Sequence, residues 1–162
     1  MSDALQQFIL AADKGDADTT RTLLEQHADL RSHLDEPLLA FDTPAIVHNC
    51  NNRAMVDLLL EYGAEVNAKS HWWAGGHGVL HSAQPDMVDY LISRGAEIDV
   101  YAAARFGMLD RVKELVDADS SLVDAKGPDG QRPLHFAASP EIIDYLLEKG
   151  ADINARCVDH QS

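Results

Sequence analysis

Cysteine is nearly absent from the chain: Cys50 and Cys157 are the only two in 162 residues. They lie far apart, so no disulfide framework is implied and reduced thiols are expected. Cations are also few. Against 27 Asp and Glu stand 13 Lys and Arg, a formal net charge of −14, which offers no basic face to a phosphate backbone and excludes nucleic acid as an expected partner. No apolar run approaches the roughly 20 residues of a membrane span. Met1-Ser2-Asp3-Ala4-Leu5-Gln6-Gln7 supplies neither the basic region nor the apolar core of a secretion signal. A cytoplasmic location away from membranes is therefore expected. Catalytic signatures are missing as well: there is no Gly-x-Ser-x-Gly elbow and no Gly-x-x-x-x-Gly-Lys-Ser/Thr phosphate loop. Gly75-Gly76-His77-Gly78 lacks the preceding strand and following long helix that a dinucleotide site requires. No cofactor and no catalytic residue are expected.

What the chain does have is apolar content, 46% of its residues, which rules out a disordered acidic tail and suffices for a substantial core in a single domain, 1–162. The most informative stretch is Arg132-Pro133-Leu134-His135-Phe136-Ala137-Ala138 followed by Ile142-Ile143-Asp144-Tyr145-Leu146-Leu147-Glu148-Lys149-Gly150-Ala151-Asp152-Ile153-Asn154-Ala155. Proline presets φ and lacks an N–H that would be unpaired at a helix start, so a short helix opens near Pro133. Ile143, Leu146 and Leu147 fall at i, i+3 and i+4 and are expected to line one face of a second helix. Gly150 can take the left-handed conformation that ends it.

The same ending recurs upstream. Val56-Asp57-Leu58-Leu59-Leu60 leads to Gly63-Ala64-Glu65-Val66-Asn67-Ala68, and Val88-Asp89-Tyr90-Leu91-Ile92 leads to Gly95-Ala96-Glu97-Ile98-Asp99. Leu23-Leu24 before His27-Ala28-Asp29-Leu30 is a weaker copy. These strings resemble the ankyrin repeat, in which a Thr-Pro-Leu-His-x-Ala box opens a helix pair that closes on Gly-Ala-Asp-Val-Asn. The resemblance implies an all-α solenoid of about five stacked helix pairs joined by finger loops, with repeats near 3–30, 42–69, 75–99, 100–124 and 129–155, and 156–162 opening an incomplete finger. The first repeat has no box and a polar outer side, as a capping unit should. Repeat two opens at Asp42-Thr43-Pro44, where Asp or Thr can cap free N–H groups. Repeats three and five pass quickly through Gln84-Pro85-Asp86 and Ser139-Pro140-Glu141, so their first helices must be very short. Repeat four enters its helix directly, without a finger. Between repeats one and two, Leu38-Leu39-Ala40-Phe41 is expected to fold back onto the helices.

Histidine invites a chemical reading, since His71, His77 and His81 are close in sequence. Gly78 interrupts the helical i, i+4 pairing of His77 with His81 that zinc would use. His81 and His135 occupy the box position, where the resemblance implies structural hydrogen bonds to the adjacent finger. His48 and Cys50 are two apart, and on a helix such side chains diverge. The resemblance further implies a non-enzymatic protein-binding module whose fingertips and first helices form a concave face. The expected contact residues are His71, Trp72, Trp73 and His77 on the widest finger, Asn49 and Arg53 on repeat two, Arg105 and Phe106 on repeat four, and Asp129, Gln131 and Arg132 on the last finger. The acidic excess calls for a protein partner with a neutral or basic surface, and a monomer is expected. A small-ligand or metal site at the His71–His77 finger, or a structural segment of a longer array, are the alternatives.

If burial between neighbouring repeats drives folding, Leu146→Ala should cost about 2–5 kcal/mol through the cavity it leaves. A chemical-denaturation midpoint equal to wild type would refute the inward assignment of Leu146.

Overall fold

A computed structural model describes residues 2–157; of the expected incomplete finger, 158–162 lie outside the described residues. Ten α-helices follow one another among them, with short 3-10 turns between and, among the described residues, one isolated antiparallel bridge, Leu39 with Thr43, as the extent of β structure. The chain divides into two compact units: residues up to Trp72 together with His77–Ala96, and Trp73–Gly76 together with the chain from Glu97 onward.

The first unit holds three helix pairs. α1 (Asp3–Asp13) starts where the Ser2 hydroxyl accepts the Leu5 N–H, and α2 (Ala17–Gln26) where the Asp16 carboxylate accepts that of Thr19. The turn between them needs a left-handed residue, supplied by Gly15 at φ 66°. α3 (Ala45–His48) and α4 (Arg53–Glu61) form the second pair, and α5 (Val79–Ser82) and α6 (Val88–Ser93) the third. Neither Asp42 nor Thr43 caps α3, contrary to expectation. The Thr43 hydroxyl donates instead to the Ala40 carbonyl at 2.8 Å, and Pro44 itself occupies the capping position.

Phe8, Leu24, Leu30, Leu34, Ile46, Met55, Leu58, Leu59 and Leu91 are all less than 2% exposed and make the core of this unit. The long connection contributes Leu30, Leu34 and Leu39 to it, so it does fold back, but Phe41 remains 67% exposed.

Repeat two is tied to both neighbours by its asparagine-rich turn. Asn49 donates to the Ala12 carbonyl at 3.0 Å and Asn52 to that of Gly15 at 3.1 Å, reaching the first pair. Asn51 donates to the Ser82 carbonyl at 3.0 Å and accepts from the Gln84 N–H at 2.7 Å, reaching the third. On the second helices a different tie appears: Tyr90 Oη and Arg94 Nη2 both donate to Asp57 Oδ1, at 2.6 and 2.8 Å.

The second unit contains α7 (Val100–Arg105), α8 (Leu109–Ala118), α9 (Pro133–Phe136) and α10 (Pro140–Glu148). α7 begins directly after Asp99, whose carboxylate accepts the Ala102 N–H, so the fourth repeat has no finger, as its spacing predicts. Ala103 and Ala104 are fully buried, and their small size lets the Ala138 N–H reach the Ala104 carbonyl at 3.0 Å. Val100, Val112, Val116, Ile142 and Leu146 complete this core. Here the expected face is corrected by one residue. Ile142 is 0% exposed and Ile143 is 37% exposed, because Ile142 and Leu146, at i and i+4, are the pair turned toward α8.

The tyrosine tie recurs in this unit, with Tyr145 Oη and Lys149 Nζ donating to Asp117 Oδ1 at 3.1 and 2.7 Å. The Lys149 bond first, then the Tyr145 bond, hold the Asp117 carboxyl below the usual carboxylate range. A depressed carboxyl adds stability above its unfolded pKa, and the addition is lost as pH falls through the folded one. At this exposed pair the effect is small.

Glycine is required where fingers approach closely. A Cβ at Gly127 would collide with the Tyr101 ring. Gly127→Ala should therefore cost about 1–3 kcal/mol by overpacking, read as a lowered denaturation midpoint; adding Tyr101→Ala should remove most of that increment in a double-mutant cycle.

Candidate functional site

The finger between repeats two and three begins as a closed loop. The Ser70 N–H donates to the His77 carbonyl at 2.8 Å, and the His77 N–H donates back to the Ser70 hydroxyl at 2.9 Å. Ser70, 4% exposed, is thereby spent on structure. The next residue binds the preceding connection, with the His71 N–H on the Asp42 carbonyl at 2.9 Å.

That bond aligns the finger with an unusual segment. Phe41 and Asp42 both adopt left-handed backbone, at φ 58° and 52°, which aspartate tolerates but which is uncommon for phenylalanine and stores strain there. The strain is held by reciprocal backbone bonds between Leu39 and Thr43, at 3.2 and 3.4 Å. Its result is to turn the Phe41 ring outward against Trp72, edge to face, with centroids 5.4 Å apart. Phe41 is the contact candidate that sequence reasoning missed, having been assigned to the fold-back. Its apolar neighbours Leu38 and Leu39 suggest burial, and a positive φ on phenylalanine leaves no compositional trace.

In the second unit, Trp73 stands 66% exposed beside the buried Ala74. The backbone that carries it is pinned: the Gly75 carbonyl accepts the Asp129 N–H at 3.5 Å, and a Cβ at Gly75 would strike the Gly127 carbonyl. The facing fingertip is itself closed by the Gly127 N–H on the Gln131 carbonyl at 2.8 Å, with Asp129 at φ 54° as its Asp-Gly sequence predicts. The two adjacent tryptophans thus divide, Trp72 half-buried and Trp73 exposed.

The remaining expected contacts separate in the same way. Asn49 is corrected: it is 6% exposed, and its amide N–H groups go to the Ala12 and Ala45 carbonyls at 3.0 and 2.9 Å, so it joins repeats. Arg132 is corrected too. Its guanidinium lies 3.3 Å from the Asp124 carboxylate and also donates to the Asp124 carbonyl, which makes it a strut of the last finger. Arg53 is exposed, with its guanidinium 4.7 Å above the Tyr90 ring, and Arg105 lies 5.5 Å above that of Phe106. His71 is exposed, while His77, Asp129 and Gln131 are half-buried.

Among the described residues, no three His, Cys, Asp or Glu side chains gather as a metal centre would need. The box histidines brace helix openings: His81 Nδ1 accepts the Gly78 N–H at 2.9 Å and His135 Nδ1 that of Arg132 at 3.0 Å.

Residues 8–102 and 100–157 match the family model described as ankyrin repeats in three copies. Eighty-eight residues, 48% of this chain and 6% of the relative, are 34% identical to alpha-latrocrustotoxin-Lt1a of Latrodectus tredecimguttatus. Fifty-nine residues, 35% of this chain and 8% of the relative, are 39% identical to ankyrin repeat and SAM domain-containing protein 6 of Danio rerio. The matched part of the chain spans less than a tenth of either relative's length.

Asn49→Ala should lower stability by about 1–3 kcal/mol, because it removes two buried hydrogen bonds, to the Ala12 and Ala45 carbonyls. Equilibrium denaturation measures it, and an unchanged midpoint would show that these bonds contribute nothing.

Proposed function

Since this chain belongs to the ankyrin-repeat family, we propose that it is a non-enzymatic module that binds another protein through its finger loops and the first helices of its repeats. Ankyrin repeats are generally protein–protein interaction modules, and the family is generally non-enzymatic. The observation that carries the finer assignment is Trp73: a tryptophan two-thirds exposed, on a fingertip whose backbone lies against the Gly127–Asp129 fingertip at Gly75. Tryptophan is enriched among the residues that dominate binding energy. A pinned backbone has little conformational freedom left to lose on association. The outward Phe41 ring, braced by Trp72, supports the same reading with a second aromatic anchor held in strained backbone. His71, Trp72, His77, Arg53, Arg105, Phe106, Asp129 and Gln131 complete the proposed contacts, and Asn49 and Arg132 leave the set.

The partner surface is neutral or basic, because a net charge of −14 favours cationic partners and repels acidic ones. Attraction of this kind weakens as salt rises. The module acts as a monomer in the cytoplasm. Among the described residues no helix is long and apolar enough to cross a membrane.

Affinity capture with the intact chain, repeated with Trp73→Ala and Phe41→Ala, tests the assignment. At least one captured protein should be lost on each substitution, with affinity reduced by about 2 kcal/mol for an anchor of this kind. A partner set recovered equally by wild type and both variants would sink it.

A further inference from the structure

The first and last helix pairs expose faces of opposite chemistry. On α1 and α2 a depression of about 340 Å³ is lined mainly by polar side chains, among them Gln7, Asp18, Thr19 and Gln26, as an outer face in water requires. On α9 and α10 a depression of about 250 Å³ is lined by Leu134, Ile143, Leu147, Ile153 and Ala155, with Asp152 and the His135 imidazole the polar side chains in its wall. Matching the ends of α8 and α10, Asp119 and Lys149, aligns Val112 with Ile142 and Val116 with Leu146, all four buried. Ile143 and Leu147 then stand where α8 carries the exposed Lys113 and Asp117. Apolar side chains thus replace charged ones on the outward side, Ile143 being 37% and Ile153 70% exposed.

Helical geometry explains how α10 divides its surface. Ile142 and Leu146 point into the core, and Tyr145 and Lys149 reach back to Asp117. Ile143 and Leu147, at i and i+4, are left on the outward side. Glu141, Asp144 and Glu148 flank that pair, three and four residues from one another along the solvent edge, and all three are exposed, as is Asp152. The one ammonium between Pro140 and Ala155 is Lys149, and it is already bonded to Asp117 at 2.7 Å. The result is an apolar depression with a carboxylate rim.

We propose that this face docks a basic amphipathic helix of a partner protein. Aliphatic side chains at i, i+3 or i+4 and i+7 of that helix fill the depression, and lysines or arginines beside them meet Glu141, Asp144, Glu148 and Asp152. A second copy of the chain is a poorer occupant, because two acidic rims would then face each other. The surface is separate from the proposed finger contacts and does not depend on them.

The test is fluorescence anisotropy with the full chain and a labelled peptide about four turns long, built of leucine and lysine with leucine along one face. One control peptide has the same composition scrambled, so that no apolar face forms; another keeps the pattern but carries glutamate for lysine. The patterned leucine–lysine peptide should bind roughly tenfold tighter than either control. Ile153→Ser and Ile143→Ser should each weaken it by about tenfold, with thermal midpoints near wild type because both residues are already exposed, and Trp73→Ala should leave it unchanged. Equal binding of the scrambled peptide would reduce the effect to general charge attraction, and equal binding of the glutamate peptide would remove the rim from the recognition. Full affinity in both serine variants, or no binding of any peptide, overturns the proposal. So does a concentration-dependent dimer in sedimentation that Ile153→Ser abolishes, which would make a second copy the occupant.

Discussion

Each helix pair in this chain carries an apolar flank that it cannot cover alone, and burial of that flank against the next pair is the constraint from which the rest follows. First helices of four to six residues, such as α3, α5, α7 and α9, are far too short to be stable in isolation. They exist because Ile46, Leu80, Ala103 and Ala104 are enclosed by neighbouring elements. Fully burying a leucine or isoleucine is worth roughly 1.5–3 kcal/mol, so a handful of such residues per pair outweighs the weak helix propensity of the segments they hold.

Hydrophobic burial is non-directional, and by itself it would let one pair slide on another. Polar ties set the register. The Asn49, Asn51 and Asn52 amides bond backbone carbonyls of both neighbouring pairs, and Tyr90 with Arg94, or Tyr145 with Lys149, clasp a carboxylate one repeat earlier. These bonds each contribute little at exposed positions. Their geometry specifies which packing is reached, and that precision lets close contacts such as Gly75 on Gly127 and Gly127 on Tyr101 form without collision.

Rigidity in the fingers then follows from contacts that have nothing to do with a partner. The Ser70–His77 closure, the His71–Asp42 bond and the glycine contacts fix backbone that would otherwise be loop. Ser70 and Ala74 turn inward on that backbone, and Trp73 and Phe41 stand out from it, 66% and 67% exposed. An aromatic side chain on a fixed support is suited to recognition, and the same support explains why no reactive cluster is needed for the fold to be useful.

The sequence by itself determined the helix pairs, their closing glycines, the missing finger before Val100 and the family, because those features are local: proline, glycine and apolar spacing act within a few residues. It also placed His81 and His135 in structural roles and marked the finger bearing both tryptophans. Only tertiary structure decided which of two adjacent apolar residues faces inward, as with Ile142 over Ile143, since a one-residue rotation of a short helix costs almost nothing until a neighbour packs on it. Tertiary structure also moved Asn49 and Arg132 from contacts to struts and brought Phe41 out. Those outcomes depend on carbonyls, carboxylates and rings contributed by distant parts of the chain, which no local pattern contains.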